Sequence, residues 1–546
     1  QTPPPDLLRT IYAQILGAHL SQFDQVFHKL TDKLVEATII VFNKLLRDTT
    51  FSPSARKFHY QFNLRELSKV IEGLMLSTPA AYKGNPSKMI KLWVHECKRV
   101  FEDRLIGPED ILKFNEYLKE GYRQLVDDDK ESAAFAEPNI FTSFIVQHYG
   151  HDKAYVPADD MPSLKKVLED KLNEYNEVKA VMNLVLFNDA MEHITRICRI
   201  LDMPAGHALL VGVGGSGKQS LSKLSAFIMG IDIDQIVVSQ NFTINDLKTF
   251  LQELIKKSVK TPGNPRAFMM TDSQIKEEYY LVFMNDLLSS GFIPDLFPKE
   301  ELDGLIGSLR NEAKGNGYPD NFDGHKSYFL DKLKKNLHVI LAFSPVGEKF
   351  RVRARKFPGI VNSTMIDWFH GWPKSALIDV ADRFLSDVEL PSDEIKEAIA
   401  LNMAECHISI DVANKRFLQL ERRYNYTTPK SFLELIDFYK KLLTKKREYI
   451  VDQIQRLENG LLTLAQTQTQ VKGLQEDLKE KMKQVEEESR KTEQLIDKVM
   501  KESEIAEAES QVANEQKNIV NALTEAANKK AEEANKALEE ALPALE

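Results

Sequence analysis

The 546-residue sequence is poor in cysteine, in basic excess and in long apolar runs. Its three cysteines, Cys97, Cys198 and Cys406, are far apart and odd in number. That argues against a disulfide framework and fits a reducing compartment. None stands at zinc-type spacing from another Cys or a His. The formal net charge of −9 removes any global case for nucleic-acid binding, which favours basic faces. No apolar stretch approaches the ~18 residues of a membrane span, so no membrane partner is expected. The opening QTPPPDLLRT has neither an initiator Met nor a signal-peptide pattern, and the last residues are still inside a helical pattern. The sequence therefore reads as an internal piece of a longer chain. Turn signals are missing too: from about 440 to the end only Gly460, Gly473 and Pro543 interrupt.

What is present is organised in blocks. Length allows two or three domains, and 43% hydrophobic with 28% charged residues is ordinary for a globular protein. LLRTIYAQILGAHL, LVEATIIVFNKLLRD, NLRELSKVIEGLML and MIKLWVHECKRVFEDRL repeat apolar residues at helical spacing, so residues 1–125 read as a helical subdomain. The polar VDDDKESAAFAEPN reads as a linker, within 126–150. Over 151–372 short apolar runs (HALLVGVG, DQIVVSQ, RAFMMTDS, NLHVILAFSP) alternate with helical patterns, which predicts a parallel sheet in an α/β domain. Residues 373–440 turn helical again. Over 441–546 apolar residues such as Leu457, Leu461, Leu464, Leu474, Leu478 and Met482 recur mostly three, four or seven apart, with Lys and Glu between them. That heptad pattern predicts a coiled-coil helix whose partner strand lies downstream or on another chain.

The chemistry concentrates in GVGGSGKQSL. Gly212, four residues, Gly217 and Lys218 make a phosphate-binding loop between an apolar strand and an amphipathic helix. Gly214, Gly215, Ser216, Gly217, Gln219 and Ser220 complete the wrap. Loop glycines let the backbone approach phosphates, the helix N-terminus offers free N–H groups, and Lys218 reaches the terminal phosphates. Asp272, closing RAFMMTDS, is placed to hold Mg²⁺ through water or to cap the following helix. Two positions depart from the hydrolysing pattern. Gln219 stands where a Mg²⁺-binding hydroxyl belongs, and Ser273 where a glutamate base belongs. Serine does not titrate near neutral pH and cannot take the proton from water, and Gln274 offers only orientation. The site is expected to bind ATP or ADP and to hydrolyse slowly or not at all. Ser344, ending its strand, is placed to watch a γ-phosphate or to serve the turn before Pro345. Arg351, Arg353 and Arg355 alternate in FRVRARKFP, which in an extended segment aims them together at a neighbour's anion or leaves a solvated basic edge. His95–Glu96 lacks the second His of a zinc helix and is taken as structural.

These residues together resemble the AAA+ ring of dynein heavy chains, over essentially the whole chain. HYQFNLRELSKV followed by LWVHECKRVFEDRL is similar to the helical lid of the third module. LVLFNDAMEHITRICRIL, GVGGSGKQSLSKL, FSPVGEKFRVRARKFPGIVNSTMIDWFHGWP and RRYNYTTPKSFLELIDFY are similar to the fourth. The heptads resemble the outgoing helix of the antiparallel stalk, and ALEEALPALE the stretch before the microtubule-binding tip. Gln219 with Ser273 resembles axonemal chains, in wording closest to outer-arm ones. The resemblance implies the following. Arg65 takes the sensor-2 position of the third module's lid and Lys430 that of the fourth, and the arginine trio faces the third module's nucleotide. Hydrolysis, mainly in the first module, drives a linker swing and, through a register shift in the stalk, changes affinity for microtubules. Other modules of the same chain, other heavy chains, and intermediate and light chains are the implied partners, and the ciliary or flagellar axoneme the location. A nucleotide-gated coiled-coil scaffold is the rival reading. A chromosome-organising ATPase is disfavoured because the acidic strand and the lid both precede the coil, and an unfoldase by Ser273.

Overall fold

The computed structural model describes residues 3–126, 134–145, 153–260 and 264–541. The chain forms two compact units, residues 1–441 and 442–546. The expected linker and the terminal ALEEALPALE fall partly outside the described residues. Within the linker window, Ala134 is buried and Phe135 meets Tyr122 edge-on at 5.3 Å, so this part is packed rather than loose.

The first unit opens with helices. Pro5–Leu20 buries Leu8, Tyr12, Leu16 and Leu20, one per turn, as side chains four apart share a face. Gln25–Arg47 buries a stripe from Phe27 to Leu45. Leu64–Leu74 begins at Asn63, which forms a reciprocal cap with Glu66. Pro86–Cys97 places Trp93 fully buried against Thr38, its Nε1 donating to the hydroxyl at 2.8 Å. Pro108–Tyr122 completes the layer.

Strands β1 (Phe141–Thr142) and β2 (Val156–Pro157) pair antiparallel. The main sheet is parallel and five-stranded: β3 (Ala208–Val211), β4 (Asp232–Gln235), β5 (Arg266–Thr271), β6 (Leu337–Phe343) and β7 (Met365–Trp368), in the order β4-β5-β6-β3-β7. Ala208 and Leu210 face one core and Leu209 and Val211 the other. Burial on both faces is why β3, β5 and β6 read as unbroken apolar runs. Two sequence expectations are corrected, and one strand was not foreseen. The strand expected within DQIVVSQ ends at Gln235, before the two valines. β7, four residues behind Asn-Ser-Thr, carried no pattern of its own. FRVRARKFP is not extended: Lys349–Lys356 is a helix, because Phe350, Arg353 and Ala354 at i, i+3 and i+4 bury one face.

A second helical group, Lys374–Leu385, Asp393–Glu421 and the first turns of Pro429–Ala541, encloses a small core including Leu377, Val380, Phe432 and Ile436. The second unit, by itself, is a single helix. Leu457, Leu461, Leu464, Leu474 and Leu478 are each at least 61% exposed, and no partner strand covers this seam among the described residues.

Two buried ion networks tie the opening helices to the sheet domain. Arg199, on the helix Asn188–Asp202, donates through Nε to both oxygens of Glu96 at 2.9 and 3.0 Å. Gly73 makes room for this pair: a Cβ there would lie 1.7 Å from Glu96 Oε2. Tyr155 adds a hydroxyl bond to Glu96 at 2.9 Å. His95 bonds Tyr155 and the Asn139 carbonyl, a structural role as expected. One turn away, Arg196 bridges Asp103 and Asp367 at 3.3 and 3.2 Å.

Candidate nucleotide site

β3 ends at Val211, and the chain turns through Gly212–Gly217 into the helix Lys218–Met229. Gly215 and Gly217 hold φ of +79° and +88°, a region glycine enters without a Cβ clash. Gly215 is needed for a second reason. A Cβ there would lie 2.6–2.9 Å from the Cβ, N and Cα of Lys430. The loop thus sits on the first turn of the helix Pro429–Ala541. The Lys430 ammonium itself is exposed, 3.6 Å from Glu434, so what this residue brings to the loop is backbone.

Because β5, β6 and β3 are neighbours, their ends place Asp272, Ser344 and the loop side by side. The Ser344 amide donates to Asp272 Oδ2, and the Ser344 hydroxyl accepts from the Val346 amide at 3.3 Å. Asp272 Oδ1 accepts from Arg353 Nη1 at 3.1 Å, and Arg353 Nε donates to Glu278 at 2.9 Å. Burial pushes the Asp272 carboxyl up, against the pull of the Ser344 amide, Arg353 and Lys218. Lys218 Nζ donates to the carbonyls of Gly212 and Val213 at 2.6 and 2.8 Å and lies 3.1 Å from Ser216 Oγ. Burial lowers its pKa to about 8, with Asp272 opposing. A phosphate oxygen would replace those carbonyls as the acceptor for this ammonium.

Gln219 is exposed, and Ser220 lines the adjoining cavity. Ser273 Oγ is 3.0 Å from Thr271 Oγ1. Gln274, expected to be available for orienting a water, is committed at both ends: its oxygen accepts from the Thr271 amide at 2.8 Å and its nitrogen donates to the Ile236 carbonyl at 2.7 Å. Neither side chain can accept a proton from water at neutral pH.

A cavity of about 140 Å³ lies beside the loop and opens to solvent. Leu184, Val185 and Phe187 form one wall, and Val380, Phe384 and Leu433 the other. His193 stacks on Phe369 with ring centroids 3.8 Å apart, and its Nδ1 donates to Asp367 at 2.7 Å. An apolar slot opening beside a phosphate loop suits a flat heterocyclic base. Sequence reasoning missed these wall residues; the apolar LVLF before the helix Asn188–Asp202 was their one signal.

The arginine trio separates. Arg353, expected to face a neighbour, turns inward to Asp272 and Glu278, since its position on the helix is the buried one. Arg351 pairs with Glu348 at 2.6 Å, and Arg355 is exposed. Arg65 is exposed and lies 3.2 Å from Ser363 Oγ and 3.4 Å from the Asn362 carbonyl. Among the described residues there is no metal-type cluster of His, Cys, Asp and Glu, and no helix long and apolar enough to cross a membrane.

A parallel sheet carrying a P-loop, an acidic strand end beside it and a helical lid over the mouth define an AAA+ P-loop module. Residues 182–442 match the family described as the P-loop containing dynein motor region D4, and residues 34–136 match an AAA+ lid domain. Over 88% of its length the chain is 48% identical to the flagellar outer-arm dynein beta chain of Chlamydomonas reinhardtii. It is 46% identical, over the same share, to the ciliary dynein beta chain of Tripneustes gratilla and to dynein axonemal heavy chain 17 of Homo sapiens. It spans about a tenth of the length of these relatives. The chain belongs to the dynein heavy-chain family, among its axonemal members.

Proposed function

We propose that this chain works within an ATP-driven motor that acts on microtubules and powers ciliary and flagellar beating. In this reading residues 1–125 are the lid of the third ring module, 126–150 a connector, and 151–372 and 373–440 the α/β part and lid of the fourth. Residues 441–546 are the outgoing stalk helix. The loop Gly212–Ser220 holds ATP or ADP and hydrolyses it slowly or not at all, so the fourth module braces or tunes the path from ring to stalk. The observation that carries this is a complete phosphate cradle combined with Ser273 and a committed Gln274 where a base would stand. Arg65, Arg351 and Arg355 are the candidates for the neighbouring module's nucleotide. Microtubule contact belongs to the stalk tip outside these residues. Intermediate and light chains and other heavy chains are partners of the whole motor.

The test is to incubate the intact chain with ATP and Mg²⁺, remove free nucleotide and identify what stays bound. Lys218→Ala run in parallel isolates this site. Intact ATP, or ADP without steady phosphate release, lost in Lys218→Ala, is the expected result. Steady phosphate release that disappears in Lys218→Ala would show a cycling site and defeat the reading.

A further inference from the structure

The residues around Asp272 do not fit a divalent cation. Both carboxylate oxygens carry fixed donors, Oδ1 from Arg353 at 3.1 Å and Oδ2 from the Ser344 amide. Arg353 is 6% exposed, and Glu278 holds its guanidinium from a second side at 2.9 Å. It stands on the helix Lys349–Lys356, anchored by the buried Phe350 and Ala354, so it is placed there by packing and not by chance of a surface rotamer. The other residue that would ligate a metal is Gln219, an exposed amide in place of a hydroxyl.

What stands there instead is positive. Lys218, Lys349 and Arg353 all act on Asp272. A guanidinium is permanently charged, planar and matched to phosphate oxygens. The two bonds to Asp272 and Glu278 use Nη1 and Nε, and the group has further N–H donors. A metal in such a loop neutralises phosphate charge and fixes the terminal oxygens. A buried arginine held on Asp272, the same carboxylate that acts on Lys218, can do both.

We propose that this site holds its nucleotide without a divalent cation, the Arg353 guanidinium standing at Asp272 in the metal's place and meeting the terminal phosphates together with Lys218. The inference rests on the reading that Gly212–Ser220 binds nucleotide. It makes occupancy of this module indifferent to Mg²⁺, unlike that of a module whose nucleotide arrives with its metal.

The test uses the intact heavy chain, wild type and Lys218→Ala, each loaded with ATP in Mg²⁺ or in EDTA, freed of excess nucleotide and assayed for nucleotide per chain. The wild-type surplus over Lys218→Ala reports this site alone. No surplus in Mg²⁺ would sink the binding reading itself. A surplus in Mg²⁺ that persists in EDTA is the expected result, and one that vanishes in EDTA overturns the proposal. Arg353→Gln supplies the second arm. It is expected to keep the surplus in Mg²⁺, where the freed Asp272 can take a metal, and to lose nucleotide about tenfold faster in EDTA, the size of one lost charge-assisted bond. Unchanged retention in EDTA, or equal loss in both media, would remove Arg353 from the role.

Discussion

Gly215 and Lys430 touch through their backbones: a Cβ on the glycine would sit 2.6 Å from that of the lysine. The phosphate loop and the first turn of the helix Pro429–Ala541 are therefore one surface. Gly215→Ala adds a methyl at φ +79° and pushes that turn away. Strain of about 1–3 kcal/mol is expected from the backbone alone. Nucleotide retention should fall, and amide exchange over 429–436 should quicken as Phe432 and Ile436 loosen from the lid core. Unaltered exchange there would show that the contact is incidental.

Lys218 gives the site a pH dependence of fixed sign. Burial lowers its pKa to about 8 in the free site. Bound phosphate favours the charged form and raises that value, so binding above pH 8 takes up a proton. Affinity is full below about 8 and falls by up to about tenfold per pH unit above it, until the bound form deprotonates in turn. Titrating nucleotide at this site between pH 7 and 9.5 checks it; a flat profile contradicts the burial of the ammonium.

On the proposed reading, raising hydrolysis at this site requires more than a base. Ser273→Glu alone is expected to leave phosphate release at the wild-type level, because Asp272 stays bonded to Arg353 and Gln219 offers no hydroxyl. Ser273→Glu with Gln219→Thr and Arg353→Gln should raise release by about 10²-fold, the low end of general-base catalysis. Fast turnover from the single change would place the defect at Ser273 only.

Arg199 and Glu96 are buried partners, so removing one strands the other. Arg199→Met should lower unfolding stability by about 3–5 kcal/mol, the usual consequence of an uncompensated buried charge. Arg199→Met with Glu96→Gln should cost less than the sum of the separate changes. Denaturant unfolding followed by tryptophan fluorescence, with Trp93 in the same layer, measures both.

The sequence disclosed the elements whose periodicity is unambiguous. The opening helices, β3, β5 and β6, and the phosphate loop all carry local signals strong enough to survive tertiary context. What it concealed depends on pairing across distance. β7 is four residues that become a strand only by lying beside β3. The alternating arginines suggested an extended edge, yet Phe350 and Ala354 already stood at helical spacing. Gln274 looked available because its two partners, Thr271 and Ile236, meet only once β4 and β5 are side by side. The apolar slot beside the loop joins Leu184–Phe187 to Leu433, residues far apart in the sequence.

Gly73 carries a consequence for anyone splicing such heavy chains. It is a vacancy shaped for Glu96 and Arg199, and those two residues stand 103 positions apart, one in the opening helices and one beside the P-loop sheet. A chimera that joins the lid of one heavy chain to the nucleotide domain of another inherits half of that arrangement from each parent. Where the parents differ at any of the three positions, the graft carries a charge with no counterpart or a side chain with no space. Segments exchanged between such chains accordingly travel with all three residues together.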